Sequence, residues 1–348
     1  MKRILVFSRE HITNYGDPIL ADCCKFLIER AAIQNNIKAE VTIVDIYETN
    51  INILTENLSK SDAIVFPGGG VNAPKFNEII LNIMERATVE GIEIYFNSIG
   101  LDSYNPNNQN TELLEKMFNH PNVKQVTTRG SYDTLKKLIN SRQQLPSKWV
   151  LDPAIWTNET YGIEKKKSKI IGIGLIRAEI FKDNGLDFER SQVINMYENI
   201  IHELEFRGYQ WRFFTNGMKS DYTFGVKLLK KMKRNPEVFL GDIIKNKAEL
   251  VTNIAGFHAI IAARMHANII AASLGIPTIG LTWNEKMNYF GESINKMHRF
   301  MSIDNLLNSK LIVDKLEHAI IEGYDLGHIN RMKAETFETI VNIVKHKM

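Results

Sequence analysis

Arg264 and His266 stand two residues apart in AIIAARMHANIIAASLGIPTIGLTWNEK (259–286), a stretch otherwise dominated by apolar and small side chains. A guanidinium offers a fixed fork of N–H donors to a phosphate or carboxylate. An imidazole transfers a proton near neutral pH. Together they suit a reaction in which an anionic substrate is held and a proton is given to it or taken from it. The surrounding pattern says where they sit. AIIAAR reads as a buried strand ending at Arg264, and HANIIAASLG as a helix starting at about His266, closed by Gly275 with Pro277 beyond as a stop. Both residues then lie at a strand-to-helix turn on the carboxyl edge of a sheet, where open α/β sheets bind ligands. The helix start adds unpaired N–H groups and partial positive charge, an anion site in itself. The plainer alternative is an arginine at a sheet edge and a histidine satisfied by its neighbours; position and company favour the site.

Other candidates occupy similar places. Arg177 ends the strand-like IIGIGLIR (170–177), and Lys286 follows PTIGLTW (277–283), where a lysine is as often solvent-facing as functional. In SREHITNYGDPIL (8–20), Asn14, Gly16 and Asp17 fit a tight turn, with Asp17 as helix cap and Pro18 at the first helical position. The same turn suits Asn14 and Asp17 to sugar hydroxyls. Gly68, Gly69 and Gly70 in PGGGVNAP (67–74) let backbone approach a ligand closely. That loop has neither the lysine of a P-loop nor the spacing of GxGxxG. Arg129 in TTRGSYDTL and Asp152 in LDPA are polar residues at strand ends. His258 and His266 fall on different elements with no acidic cluster beside them, so no metal is expected.

The elements that must position these residues are legible as alternating short apolar runs and amphipathic segments. Strands are expected over 3–8, 40–45, 63–70, 92–100, 123–128 and 149–153, with helices near 18–34, 74–90, 111–118 and 131–140. The polar segment 158–169 breaks the pattern and reads as a linker. Strands then resume over 170–177, 211–216, 237–240, 259–264 and 277–283, with helices near 191–207, 220–234, 242–250 and 266–274. The tail from Ile303 reads as helices. This is α/β alternation twice over: a first domain at 1–157, a second at 168–325, and a terminal helix at 326–348, with an active-site cleft between two parallel-sheet domains.

Composition bounds the rest. The chain has 348 residues, 44% hydrophobic and 24% charged, with a net charge of +3. The basic runs EKKKSK and KLLKKMKR read as solvated faces, and nothing has the density or aromatic interleaving of a nucleic-acid binder. Cys23 and Cys24 are adjacent, which suits a reducing cytoplasm rather than a disulfide framework. No stretch approaches the roughly 20 apolar residues of a membrane span, so membrane contact is expected to be peripheral at most.

NYGD (14–17), PGGG (67–70), TTRGS (127–131), DPA (152–154) and the block ARMHANIIAASLGIPTIGLTWNEK appear in an order that resembles the polysaccharide pyruvyl transferases from about Asn14 to Gly291. The Arg-x-His block is the most specific of these. Gly130-Ser131 follow Arg129 where many relatives carry an acidic residue, and Trp283 stands where tyrosine is commoner. The resemblance implies a glycosyltransferase-B-like fold, two Rossmann-like domains with the acceptor on the first and the donor on the second. It implies transfer of a pyruvyl group from phosphoenolpyruvate to two hydroxyls of a saccharide, forming a ketal, in cell-envelope or exopolysaccharide synthesis at the inner face of the membrane. It makes His266 the acid/base and gives Arg264 and Arg177 to the donor, which Lys286 could also reach from its neighbouring loop. Asn14, Asp17, Gly68, Gly69, Gly70, Arg129 and Asp152 would serve the acceptor or the cleft. The acceptor would be lipid-linked or nucleotide-linked, with no cofactor beyond phosphoenolpyruvate as co-substrate, and a homo-oligomer is compatible with this. A glycosyltransferase using a nucleotide-sugar donor, with Arg264 on its diphosphate, is the alternative.

Overall fold

A computed structural model describes residues 1–48, 50–71, 73–101 and 109–345. Asn72 of the glycine-rich loop and the last three residues of the expected terminal helix lie outside them. The chain divides into two compact units. Met1–Ile12, Asp17–Pro153 and the segment from Gly327 form the first; Thr13–Gly16 and Ala154–Leu326 form the second.

In the first unit the chain runs β1 (Lys2–Ser8), α1 (Gly16–Gln34), β2 (Ala39–Asp45), α2 (Ile51–Ser59), β3 (Ala63–Phe66), β4 (Gly69–Gly70) and α3 (Pro74–Val89). It continues through β5 (Glu93–Gly100), α4 (Gln109–Phe118), β6 (Val123–Thr128), α5 (Tyr132–Leu138) and β7 (Ser147–Trp149). The seven strands pair in the order β2-β1-β3-β5-β6-β7, with β4 beside β5, all parallel. Strands covered on both faces carry unbroken apolar runs, and β1 and β3 do: Ile4 to Phe7 and Ala63 to Phe66 are all buried. One row of that core is aromatic, with Phe7 on Phe66 at 5.5 Å and Phe66 on Phe96 at 4.9 Å.

The second unit holds α6 (Thr157–Tyr161), β8 (Ile170–Gly174), α7 (Glu179–Asp183), α8 (Arg190–Phe206), β9 (Gln210–Phe214), α9 (Lys219–Lys231), α10 (Pro236–Phe239) and α11 (Lys247–Ala255). Then follow β10 (Ala259–Ala262), α12 (Met265–Ser273), β11 (Thr278–Leu281), α13 (Glu285–Ser293), β12 (Phe300–Met301) and α14 (Ser309–Glu322). Its five strands, in the order β12-β11-β10-β8-β9, are again parallel. A separate core of Ile171, Ile173, Ile261, Ile279 and the helices around them fills this unit. A last helix, α15 (Leu326–Lys345), returns to the first unit: Thr336 Oγ1 accepts from the Leu151 amide at 2.9 Å, and Gln125 donates to Thr339 O at 3.0 Å.

In each sheet the chain leaves its first strand to one side and later comes back to the other. The reversal falls between β1 and β3 in the first unit and between β8 and β10 in the second. Such switch points are where loops diverge and leave a crevice at the carboxyl ends of the strands.

Two local expectations are corrected. EVFL (237–240) is not a strand: Asn235 accepts from the Glu237 amide at 3.0 Å and Pro236 takes the first helical position, so the segment winds into α10. The polar segment at 158–169 begins inside α6 and belongs to the second unit. Among the described residues no helix is long and apolar enough to cross a membrane.

Candidate active site

The turn from β10 into α12 is held carbonyl by carbonyl. Asn268, fully buried, donates to Ala262 O at 3.1 Å and to Arg264 O at 3.0 Å, while its own Oδ1 accepts from the Thr278 hydroxyl. Trp283 Nε1 donates to Ala263 O at 2.7 Å from the loop after the adjacent strand β11. Three successive peptide oxygens are therefore fixed by side chains. Arg264 sits extended at the N-cap of α12, and His266 is the second residue of that helix, 6% exposed. The helix starts one residue earlier than the pattern indicated, because Met265 already has helical geometry.

The loops flanking the β8/β10 switch point meet at a residue the sequence did not reveal. Asp221, in the first turn of α9, has no exposed surface. Its Oδ2 accepts from Arg264 Nε at 3.0 Å and Nη2 at 2.6 Å, and its Oδ1 accepts from the Arg177 amide at 3.0 Å. Nη2 of Arg264 also lies 3.3 Å from Met218 Sδ. The preceding amide, of Ile176, donates to the buried Tyr197 hydroxyl at 3.1 Å. One carboxylate thus ties the end of β8 to the end of β10. The Arg177 side chain itself points to a surface pair with Asp183 at 2.9 Å. Lys286 is partly buried in the first turn of α13, whose N-cap Asn284 makes no side-chain cap bond.

Around this edge several buried polar atoms have no hydrogen-bond partner among the described residues: both side-chain atoms of Asn216, Thr282 Oγ1 and the Oδ1 atoms of Asn14 and Asn284. Buried polar atoms in folded proteins are normally met, so these are groups that ligand or water would satisfy.

The candidate residues fall into two sets. Asn14, Arg177, Arg264, His266 and Lys286 lie in the second unit, and Asp17, Gly68, Gly69, Gly70, Arg129 and Asp152 lie in the first. Asn14, read as a first-domain turn residue, is the surprise, because Thr13–Gly16 packs with the second unit. Asp17 falls inside the first turn of α1 rather than at its cap, and Arg9 Nη1 approaches its Oδ2 at 3.4 Å. Arg9 also donates to Gly70 O at 3.2 Å and lies 3.8 Å above the Phe76 ring. Arg9, Asp17, Gly68, Gly69 and Phe76 line a crevice of about 20 Å³ at the β1/β3 switch point, with φ positive at Gly68 (133°) and Gly69 (92°). Arg129 and Asp152, both buried, pair with each other. The acidic partner missing beside Arg129 in sequence arrives instead from the end of β7, and Gly130 is small because a Cβ there would sit 2.2 Å from Leu101 O.

Asp221 had a faint signal, an acidic residue opening a helix after a strand. Arg9 had none, since it matters through Gly70 and Phe76, remote in the chain, and Asn268 was passed over as one polar residue in an apolar helix although its partners lie within ten residues of it. Among the described residues one group has metal-ligand geometry, His298, His318 and Glu322, all exposed. Glu322 is already bound by Lys296 and Arg299, whose charges oppose a cation there.

Solved structures share this fold. S. aureus MnaA in its UDP co-structure matches with a TM-score of 0.59 at 14% identity, covering 99% of this chain and 96% of that one. The UDP-GlcNAc 2-epimerases of Neisseria meningitidis and Methanocaldococcus jannaschii match at 0.57 and 0.56, with 13% and 14% identity. The first covers 97% of this chain and 100% of its own, the second 91% and 92%. At that identity the likeness establishes two Rossmann-like domains of glycosyltransferase-B-like type. No curated protein matches the sequence. The family model described as polysaccharide pyruvyl transferase matches residues 4–285, spanning β1, the glycine-rich loop, the Arg129 and Asp152 strand ends and the Arg264–His266 turn. The chain belongs to the polysaccharide pyruvyl transferase family and is a transferase.

Proposed function

We propose that the protein transfers a pyruvyl group from phosphoenolpyruvate to two hydroxyls of a saccharide, forming a cyclic ketal in the synthesis of a cell-envelope or secreted polysaccharide. The observation that carries the donor assignment is the second-unit switch point, where Asp221 ties Arg264 to the amide of Arg177 beside the start of α12. Arg264, Arg177 and Lys286 hold the carboxylate and phosphate. The Arg177–Asp183 pair is half-exposed at the aspartate, the kind of contact worth less than about 1 kcal/mol that a substrate oxyanion displaces.

His266 gives its proton to the enol methylene, which becomes a methyl group, and the adjacent carbon becomes oxocarbenium-like. One sugar hydroxyl adds to that carbon and returns its proton to the imidazole. The bond to phosphate breaks, the second hydroxyl closes the ring, and its proton leaves with phosphate. Fixed positive charge serves the departing phosphate, and a proton donor near neutral pH serves the first step. The saccharide, on a lipid or nucleotide carrier, is assigned in the first unit to Asp17, Gly68, Gly69, Gly70, Arg129 and Asp152.

A second reading takes a nucleotide-sugar donor, supported by structural neighbours solved with UDP or UDP-GlcNAc bound. One calorimetric experiment decides. Phosphoenolpyruvate should bind wild type and His266→Ala alike and bind Arg264→Ala at least 10-fold more weakly, with UDP silent. Binding of UDP alone would move the protein to the second reading. Unchanged affinity in Arg264→Ala would remove that residue from the donor site.

A further inference from the structure

The segment Thr13–Gly16 leaves the end of β1 and is anchored at three separate places in the second unit. Tyr15 N donates to Asn216 O at 3.0 Å, and Tyr15 Oη donates to Lys245 O at 2.5 Å. Gly217, at φ 102°, lies so close beneath that a Cβ would meet Thr13 O at 2.3 Å and the Tyr15 ring at 2.5 Å. The third anchor is His266 itself. A Cβ on Gly16 would fall 2.3 Å from His266 Nδ1 and 2.6 Å from its Cβ and Cγ. Those distances are impossible for any side chain, so the Gly16 backbone is seated against the Nδ1 edge of the imidazole.

We propose that Thr13–Gly16 is a positioning strap for His266, closing the Nδ1 side of the ring so that Nε2 is the nitrogen presented to the substrate. The inference rests on the donor reading for what Nε2 does there, and on packing alone for the strap. A proton delivered to carbon needs one ring nitrogen held toward the acceptor atom. A ring on the second residue of a helix still has χ1 and χ2 free to place either nitrogen toward the substrate. Gly16 removes one of the two choices, and the Tyr15 anchors keep Gly16 in place. Tyr15 and Gly16 are therefore positioning residues, which act through His266.

The test is the imidazole nitrogen spectrum of the full-length protein, titrated with phosphoenolpyruvate. In wild type the donor should shift His266 Nε2 more than Nδ1. In Gly16→Ala the ring must turn or the strap must lift, so the ligand-free His266 nitrogen shifts should change and both nitrogens should respond to the donor. Tyr15→Phe, which loses only the bond to Lys245, should show a smaller change of the same kind and guards against misfolding of the first variant. Identical ligand-free His266 shifts in wild type and both variants would overturn the strap, as would a donor-induced shift in wild type that is larger on Nδ1 than on Nε2. If no resonance anywhere responds to phosphoenolpyruvate, the donor reading fails instead, and the ligand-free comparison still decides the strap.

Discussion

A carboxylate with no exposed surface is costly to bury unless its charge is met, and Asp221 is met twice, by the Arg264 guanidinium and by the Arg177 amide. Removing the charge strands the guanidinium of Arg264, which is itself only 12% exposed. Asp221→Asn should lower the stability of the second unit by about 3 kcal/mol, and phosphate should restore part of it by supplying the lost anion. Chemical denaturation with and without phosphate reads both, and a variant as stable as wild type would show the pair to be incidental. Glu322 offers a cleaner pH signature. Burial raises its pKa, but hydrogen bonds from Lys296 and Arg299 outweigh burial and, with His298 nearby, hold the carboxyl at about 2 against its usual 4.5. A depressed carboxylate stabilises the fold fully above its unfolded pKa and loses that contribution as pH falls toward the folded one. The destabilisation in Glu322→Gln, about 1 kcal/mol at neutral pH once solvent screening of this exposed cluster is allowed for, should therefore shrink between about pH 4.5 and pH 2. A gap of constant size down to about pH 2.5 would assign the stabilisation to packing instead.

At the scale of elements, α15 is the piece whose role its place in the chain conceals. It follows the second unit directly, yet its partners are Leu151, Gln125 and, through Lys2 Nζ to Ile343 O at 2.8 Å, the start of β1. Ile329, Ile340, Ile343 and Val344 are buried along it. At about 1.5–3 kcal/mol for each such side chain, their sum rivals the 5–15 kcal/mol that holds a whole domain together. Deleting residues 326–348 should make the first unit protease-sensitive while the second keeps its resistance; equal resistance in both would contradict this. The same contrast marks what the sequence could tell. Strands such as AIIA in β10 and ILVF in β1 are legible because burial on both faces demands unbroken apolar runs. The glycine after α12, at φ 67°, is legible because only the left-handed region ends that helix cheaply. EVFL misleads because its apolar content matches a strand while Asn235-Pro236 starts a helix. The Arg264–His266 turn was readable from its elements alone, but Asp221 was not, because it lies 43 residues from Arg264 and only the fold brings them together. The docking of Thr13–Gly16 with the second unit was hidden for the same reason.

For the molecule as a whole, two separate cores set how a donor should spread its stabilisation. Arg177, Asp221, Arg264, His266 and Lys286 belong to one unit, whose core of Ile171, Ile173, Ile261 and Ile279 shares no residue with the aromatic core of the other. A ligand that binds only the folded second unit stabilises it by about 2.7 kcal/mol at 100 times its dissociation constant. Amides that exchange through opening of that unit should then exchange about 100-fold more slowly. Those in β8, β10 and α12 are the ones to follow. Amides in β1, β3 and β5 should keep their ligand-free rates, since none of the residues proposed to bind the donor lies there. Hydrogen exchange with and without phosphoenolpyruvate makes the comparison in one sample, each unit serving as control for the other. Slowing confined to β8, β10 and α12 would locate the donor by energy rather than by geometry. Equal slowing in both units would mean that the first unit holds the donor as well, and Arg9 or Arg129 would have to join the residues that bind it.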